Sequence, residues 1–501
     1  MERESLYAAI CANPRDDLPK LVFADWLDER GDAVDRAHAE LIRIQCEWES
    51  NKAENQRLVE PFQLNVEHHR WPNAKQMTAE SDDAARAVQL LNRSAILELI
   101  TKDKPLMPLP EFSGAMYHFS NRVHGIKQCL RMTSLSTWEN HLSDIRKHFP
   151  IRDLILDPYT GSYQQGDGVS DVESELFSQI ESLSSEMYHS TTSLRSILGW
   201  RKLHRLRRFS CKNANANSTL IEALSNADHL PELESLQLDC PSYSSSAFLN
   251  VERFPKLQQL SLWSFDTGSL FATMSRVLEF TDNCLRELDL QGLTDHDDNI
   301  QLRWLDGNRI PKLARLVLGG MLARSTVGQI LSSGQFPELR HLHIFGHFSG
   351  DFVGRVLEKA RSHPMLDSLT LGQSGLERGA VGSLVRWPGF VNLRKLELEG
   401  SRLNHEAIAA LGSADAPHLR TLGLANCNLH GSHVRELTQS RFVRSLWNLD
   451  LHGNEVDDAF IRALVETPFL DELQCLLIDL PEDDPGYARL KARFGDRFQS
   501  A

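Results

Sequence analysis

The stretch LRKLELEGSRLNHEAIAALGSADAPHLRTLGLANCNL, residues 393–429, decides how this chain folds. It holds two copies of one motif: leucine, two residues, leucine, one residue, leucine. The copies are Leu393, Leu396 and Leu398, then Leu419, Leu422 and Leu424. Side chains of an extended segment alternate between two faces, so the second and third leucines share a face and the first turns in beside them. Between the copies, Asn404 is placed to cap a helix whose Ala407, Ile408 and Leu411 form one apolar stripe. One such strand cannot bury its leucines alone, but a stack of them can.

The motif recurs. It reads LHRLRRF at Leu203, LESLQL at Leu233, LQQLSL at Leu257, LRELDL at Leu285, LARLVL at Leu313, LRHLHI at Leu339 and LDSLTL at Leu366. LWNLDL at Leu446 and LQCLLI at Leu473 close the series, and the mean step is 27 residues. That step accommodates a strand and a full helix. Helical stretches such as STVGQILSS, DFVGRVLEKAR, SHVRELTQS and VDDAFIRALVE fill the intervals, the last burying Phe460, Ile461, Leu464 and Val465. Helices are wider than strands set about 4.8 Å apart, so the stack is expected to curve with strands inside and helices outside. Upstream, IRDLIL at Ile151 reads as another strand, residues 151–203 as two irregular repeats, and RVHGIKQC from Arg122 as the first strand. The Gly/Ser-rich YTGSYQQGDGVSDVES from Tyr159 reads as a surface excursion.

This part of the chain resembles the leucine-rich repeat family, and its repeat length and helices resemble the ribonuclease-inhibitor-like subclass. The family motif continues past the third leucine to an Asn or Cys, then a leucine. Cys427 and Asn454 fill that place, followed by Leu429 and Val456, whereas Ser401, Ser374, His347, Met321, Leu293, Phe265 and Pro241 stand there in other repeats. The resemblance implies a ladder of buried Asn and Cys side chains near the C-terminus and less regular repeats before it. PEDDPGYARLKARFGDRFQ from Pro481 reads as a turn and a short helix, with Tyr487, Leu490 and Phe494 covering the end of the stack.

Residues 4–48 are of another kind. ESLYAAICA forms a short helix that Pro14-Arg15-Asp16-Asp17 breaks; Asp17 is placed to cap LPKLVFADWLDER, which Gly31 ends. In AHAELIRIQCEWES, Ala37, Leu41, Ile44 and Trp48 make one stripe, and Leu6, Leu18, Val22, Trp26 and Leu27 complete a small expected core. The Asn-Pro-x-Asp-Asp turn, the FADWLDERGD block and AELIRIQCE together resemble the bacterial repeat-companion domain. The expected fold class is therefore α/β: a curved leucine-rich-repeat solenoid behind a small all-α module. The expected organisation is a helical module over 1–60, a helical extension over 61–120, the solenoid over 121–480 (regular from 203), and a C-terminal cap over 481–501.

Composition narrows function. In 501 residues, 54 Lys+Arg against 68 Asp+Glu leave a net charge of −14, which repels phosphate backbones and disfavours nucleic-acid binding. The basic run RKLHRLRR at Arg201 has no interleaved aromatics and reads as a local patch. No run nears the roughly 18 apolar residues of a membrane span, and the N-terminus lacks a signal-peptide pattern. The cysteines Cys11, Cys46, Cys129, Cys211, Cys240, Cys284, Cys427 and Cys475 are scattered, as in a reducing, cytoplasmic setting.

No phosphate-loop, dinucleotide, zinc-protease or serine-hydrolase motif is present. His68-His69 reads as solvated surface. His341 and His343 alternate with leucines and so share the concave face, but a metal needs a third ligand, and the neighbouring Arg315, Val317, Ser368 and Thr370 are poor ones. No catalytic residue, cofactor or metal is therefore expected. The expected function is binding of a protein or peptide on the concave face by a monomeric scaffold, through Trp263, Glu287, Asp289, Arg315, His341, His343, Phe345, Lys395, Glu397 and Asp450. The alternative is a regulator or enzyme in which the N-terminal module acts through Asp25, Asp28 or Glu29 and the repeats select the target.

Overall fold

The computed structural model describes residues 2–59, 82–101, 115–118, 129–132, 150–156, 175–185, 201–211, 218–239, 250–263, 284–294, 310–321, 336–346, 366–372 and 379–500, with positions 106, 198 and 376. The chain forms two compact units, Met1–Gln56 with Asn73–Cys284 and Arg57–Pro72 with Leu285–Ala501. No helix among the described residues is long and apolar enough to cross a membrane.

The first unit opens with helices α1 (Glu2–Ala12), α2 (Asp17–Arg30) and α3 (Ala33–Ser50). The cap of α2 is Asp16, one residue earlier than the sequence suggests: its side chain accepts from the Leu18 N–H at 2.9 Å. Gly31 closes α2 with its N–H on the Leu27 carbonyl, and Asp32 and Asp35 form a reciprocal capping box on α3. The small core holds Tyr7, Ile10, Cys11, Phe23, Ala24, Leu27, Ala39, Ile42 and Cys46, with Leu6 and Trp26 at its margin. Leu18 and Val22 face solvent instead of joining it, at 67% and 45% exposure. Helix α4 (Lys52–Val59) follows, and then α5 (Asp82–Thr101). The stripe Ala37, Leu41, Ile44 and Trp48 is buried, and Glu40 and Glu47 on the same side of α3 pair with Arg93 and Arg86 of α5. So α3 is covered on two sides, by α2 and by α5.

The strands of this unit follow chain order: β1 (Ala115–His118), β2 (Cys129–Met132), β3 (Asp153–Leu156), β4 (Ser182–Ser185), β5 (Arg208–Cys211), β6 (Ser235–Asp239) and β7 (Gln259–Trp263). β1 lies antiparallel to β2; from β2 onward all pairings are parallel. The strand expected at RVHGIKQC begins only at its last residue, Cys129; Arg122–Gln128 lie outside the described residues. Register also moves the first regular repeat. Phe209 pairs with Leu236 and Cys211 with Leu238, so the motif starts at Leu206, 27 residues before Leu233, not at Leu203. Likewise Leu183 aligns with Leu154 and Phe209, which makes Ile180 the start of the repeat before it. A short helix, α6 (Ser218–Ser225), buries Leu220, Ile221 and Leu224.

The second unit carries β8 (Glu287–Thr294), β9 (Arg315–Met321), β10 (His341–Phe345), β11 (Ser368–Gly372), β12 (Lys395–Glu397), β13 (Thr421–Gly423), β14 (Asn448–Asp450), β15 (Cys475–Leu477) and β16 (Phe498–Gln499), all parallel. Leu288, Leu316, Leu342, Leu369, Leu396, Leu422, Leu449 and Leu476 pair in register and are all buried, giving the column that the leucine period demands. Helices α7 (Ala380–Arg386), α8 (His405–Gly412), α9 (Gly431–Thr438), α10 (Asp458–Glu466) and α11 (Pro485–Phe494) stack in chain order. Asn404, Asp457 and Asp484 cap α8, α10 and α11. Leu490 and Phe494 are buried, and the Tyr487 ring meets Phe498 edge-on at 5.1 Å. The fold is thus α/β, a parallel repeat stack behind a helical module.

Candidate functional site

The strand faces that carry the expected binding residues change along the chain. In β4 to β7, burial alternates strictly: Leu183, Phe209, Cys211, Leu236, Leu238, Leu260 and Leu262 are buried, and the residues between them are half-buried. Trp263, at the end of β7, is one of these half-buried side chains, in register with Asp239. Glu287, Asp289 and Arg315 are also half-buried.

From β10 to β15 the alternation vanishes. His341, His343, Ser368, Thr370, Lys395, Glu397, Thr421, Asn448 and Asp450 are all buried, together with the leucines beside them. The expectation of an open, solvated face therefore does not hold for His341, His343, Lys395, Glu397 and Asp450. Alternation tells which side of a strand a residue takes, but not whether that side is covered. The residues make a polar interior layer instead. Lys395 Nζ lies 3.0 Å from Glu397 Oε1, Thr370 Oγ1 donates to Glu397 Oε2 at 2.9 Å, and Asn448 Nδ2 donates to Thr421 Oγ1 at 3.2 Å. Burial raises the Asp450 carboxyl pKa, against the lowering pull of His452, whose Nδ1 is 2.7 Å away.

Phe345 is half-buried because glycine on the next strand gives it room. A Cβ at Gly372 would stand 2.6 Å from Phe345 Cδ1, so the ring lies across that backbone. At Gly319 the space a side chain would fill is taken by Gln291, whose Cγ is 3.2 Å from where a Cβ would be.

His343 Nε2 has no hydrogen-bond partner; Arg315, Lys395, His341 and the ring of Phe345 lie near it, and the Glu397 carboxylate, on β12, is held by Lys395 and Thr370. Burial first, and the charges of Arg315, Lys395 and His341 next, hold its pKa well below the ordinary value of 6.5. Among the described residues, His341 and His343 belong to no group of three metal-capable side chains. The sign for stability follows. Below pH about 6.5 the unfolded chain takes up a proton here that the folded chain refuses. The stabilisation is complete above that pH and declines as pH falls. We expect the urea midpoint of the second unit to drop between pH 7 and 5.5. His343→Leu should lessen the slope by one proton's share, about 1.4 kcal/mol per pH unit. An unchanged slope in that variant would place the titration elsewhere.

The ladder implied at Cys427 and Asn454 is present. Asn454 Oδ1 accepts from the Cys427 and Leu429 N–H groups at 3.0 and 2.9 Å, and Nδ2 donates to the Leu424 and Leu451 carbonyls, both at 2.8 Å. Cys427 Sγ donates to the Leu398 carbonyl at 3.0 Å. Burial pushes the thiols of Cys11, Cys46, Cys211 and Cys427 up to about 12, which keeps them protonated at neutral pH.

In the N-terminal module, Asp25 and Asp28 both pair with Arg43, at 2.7 and 2.6 Å, and Glu29 is exposed. The module is tied to the strands by Arg15 from its Pro14-Arg15-Asp16-Asp17 turn. Arg15 pairs with Glu181, which also takes a bidentate bond from Arg152 at 3.0 and 2.6 Å. Burial raises the pKa of Glu181, but the bonds to Arg152 and Arg15 outweigh it and hold the carboxyl below its usual range.

One group of metal-capable side chains went unnoticed in the sequence: His405, His430 and His433, whose ligand atoms lie within 4.8 Å of one another. The period holds the clue. Counting 27 residues on from His405 reaches Ser432, which sits between His430 and His433.

No protein-family model matches the chain, and no curated protein does. Among solved structures, the chain is similar to a protein from Bacteroides fragilis, with 15% identity over 64% of this chain and 76% of that one and a TM-score of 0.28. It is also similar to the yeast complex of Rad7 and Elc1, with 19% identity over 62% of this chain and 74% of that one and a TM-score of 0.35.

Proposed function

We propose that this chain is a non-catalytic binding protein of the leucine-rich repeat kind, led by a repeat-companion module, and that it holds a protein or peptide on the strand face of its first unit. The observation that carries this reading is the alternation in β4 to β7. It leaves Arg208, Gln237, Asp239, Gln259 and Trp263 half-exposed on a backbone fixed by buried leucines. A rigid, partly polar face with an aromatic side chain has the composition of a protein-binding surface. The buried layer at β10 to β15 does not present its side chains in the same way, so the binding residues proposed are Trp263 and its neighbours on β5 to β7.

The N-terminal module is read as a docking element. Its acidic side chains Asp25 and Asp28 are taken up by Arg43 on an exposed face, an arrangement that suits surface charge better than catalysis. Tandem affinity capture with the full chain, wild type against Trp263→Ala, tests the reading. A partner held by the wild type should bind the variant with a loss of about 2 kcal/mol or more, as at an interface hot spot. If every captured protein binds the two alike, while circular dichroism shows both folded, the proposed face is wrong.

A further inference from the structure

We infer that His405, His430 and His433 form a binding site for a single zinc ion, or a divalent transition metal of similar size, that clips two neighbouring repeats together. The site is independent of the strand face discussed above. His405 is the first residue of α8; His430 immediately precedes α9 and His433 lies in its first turn. The three ring systems converge: centroids are 3.9 Å apart for His430 and His433, 4.3 Å for His405 and His433, and 5.9 Å for His405 and His430. Nitrogens bound tetrahedrally to zinc at about 2.0–2.1 Å stand about 3.4 Å from each other. The present separations, up to 4.8 Å, reach that by modest side-chain rotation.

The surroundings favour ligation. Ser432 Oγ lies 3.2 Å from His405 Nε2 and 3.1 Å from His430 Nδ1, between the two rings. The carboxylate of Glu436, one turn further along α9, stands 3.6 Å from His405 Nδ1. At 3.6 Å this is an ion-pair approach, and a small rotation would let the carboxylate take the Nδ1 proton as the outer partner of a metal-bound histidine, with Nε2 left toward the cluster. His433 is buried and gives up only a 3.4 Å bond from the His430 N–H if its Nδ1 is the donor. The backbone under the site is fixed: a Cβ at Gly431 would lie 2.5 Å from Ala459 Cβ and 2.7 Å from the Phe460 nitrogen, so α9 starts in close contact with α10. Two helix N-termini direct partial positive charge toward the ion and oppose it. The carboxylate of Glu436 answers that charge, and three imidazole nitrogens set the preference for zinc, copper or nickel over calcium or magnesium. The fourth position is left to water.

The test uses the full chain without any histidine tag, stripped with a chelator and titrated with Zn2+ or Co2+ at pH 7.5. One equivalent should bind, the Co2+ form showing the intense visible bands of a four-coordinate site, and Zn2+ should raise the melting temperature. His405→Gln changes an exposed side chain and leaves the fold intact. It should weaken Zn2+ binding by about 100-fold, the share of one ligand in a structural zinc site. Glu436→Gln should weaken it by about tenfold or more without abolishing it. Absence of a stoichiometric site in the wild type, or equal Zn2+ binding by wild type and His405→Gln, overturns the inference.

Discussion

Glu181→Ala should be the most damaging single change outside the leucine column, costing about 3–5 kcal/mol of unfolding free energy in the first unit. The carboxylate is 2% exposed and is shared by Arg152 and Arg15. Its removal takes the bidentate partner from the Arg152 guanidinium, itself largely buried, and leaves it only the weaker pull of Asp153 and Glu49. Breaking a buried pair from one side is expensive because the remaining ion keeps its desolvation cost. Removing both partners is much cheaper, so Glu181→Leu with Arg152→Leu should recover a large part of the loss. Urea unfolding followed by near-ultraviolet circular dichroism reads both numbers. Since Arg15 belongs to the turn between α1 and α2, hydrogen exchange in those helices should also rise in Glu181→Ala. A single-variant loss under 1 kcal/mol, or no recovery in the double variant, would show that the pair holds little of the fold.

The second large effect is expected at Asn454. Its amide serves two backbone N–H groups and two carbonyls at 2.8 to 3.0 Å, and these belong to two successive repeats. Asn454→Ala leaves four backbone groups to find water in a partly closed turn, an expected loss of about 3 kcal/mol. Asn454→Asp is the sharper comparison. It conserves shape and keeps the acceptor for Cys427 and Leu429, but sets a carboxylate oxygen against the Leu424 and Leu451 carbonyls. It should cost at least as much as alanine above pH 5 and recover when the carboxyl is protonated. Thermal melts of the second unit at two pH values make the measurement. An aspartate variant as stable as the wild type at pH 7 would show that the donor half of the ladder is idle.

The parallel stack was legible because the leucines that reveal it are the ones that pair. Leu342, Leu369 and Leu396 sit in register at the spacing the sequence sets. Where a repeat substitutes another residue for leucine, the start slipped. Phe209 and Cys211 take the second and third places, and Leu203 only looks like a first leucine because the true one, Leu206, follows it three residues later. In the N-terminal module the helices were readable from Pro14 and Gly31, but Leu18 and Val22 were misplaced. Their side of α2 faces solvent, and a single short helix with apolar residues on more than one side does not declare which side is covered. The strand face was half legible. The period assigns Lys395 and Glu397 to the strand surface correctly, yet their burial depends on long-range packing that local alternation does not encode. The histidine trio was hidden for the opposite reason: His405 is 25 and 28 residues from its partners, a distance that means proximity only once the stack is known.

The last strand has a consequence for how copies of this chain behave toward each other. A parallel stack ends in a row of unpaired amides and carbonyls, which is a template for a further chain. Here β15 is met by only two residues, Phe498 and Gln499, after which Ser500 Oγ accepts from the Leu480 N–H and donates to its carbonyl. Arg497 at the same time engages the carbonyls of Asp471 and Leu473. A two-residue strand and two side chains thus take up backbone groups along β15 and its flanks, which leaves less of that edge as a template for strand pairing.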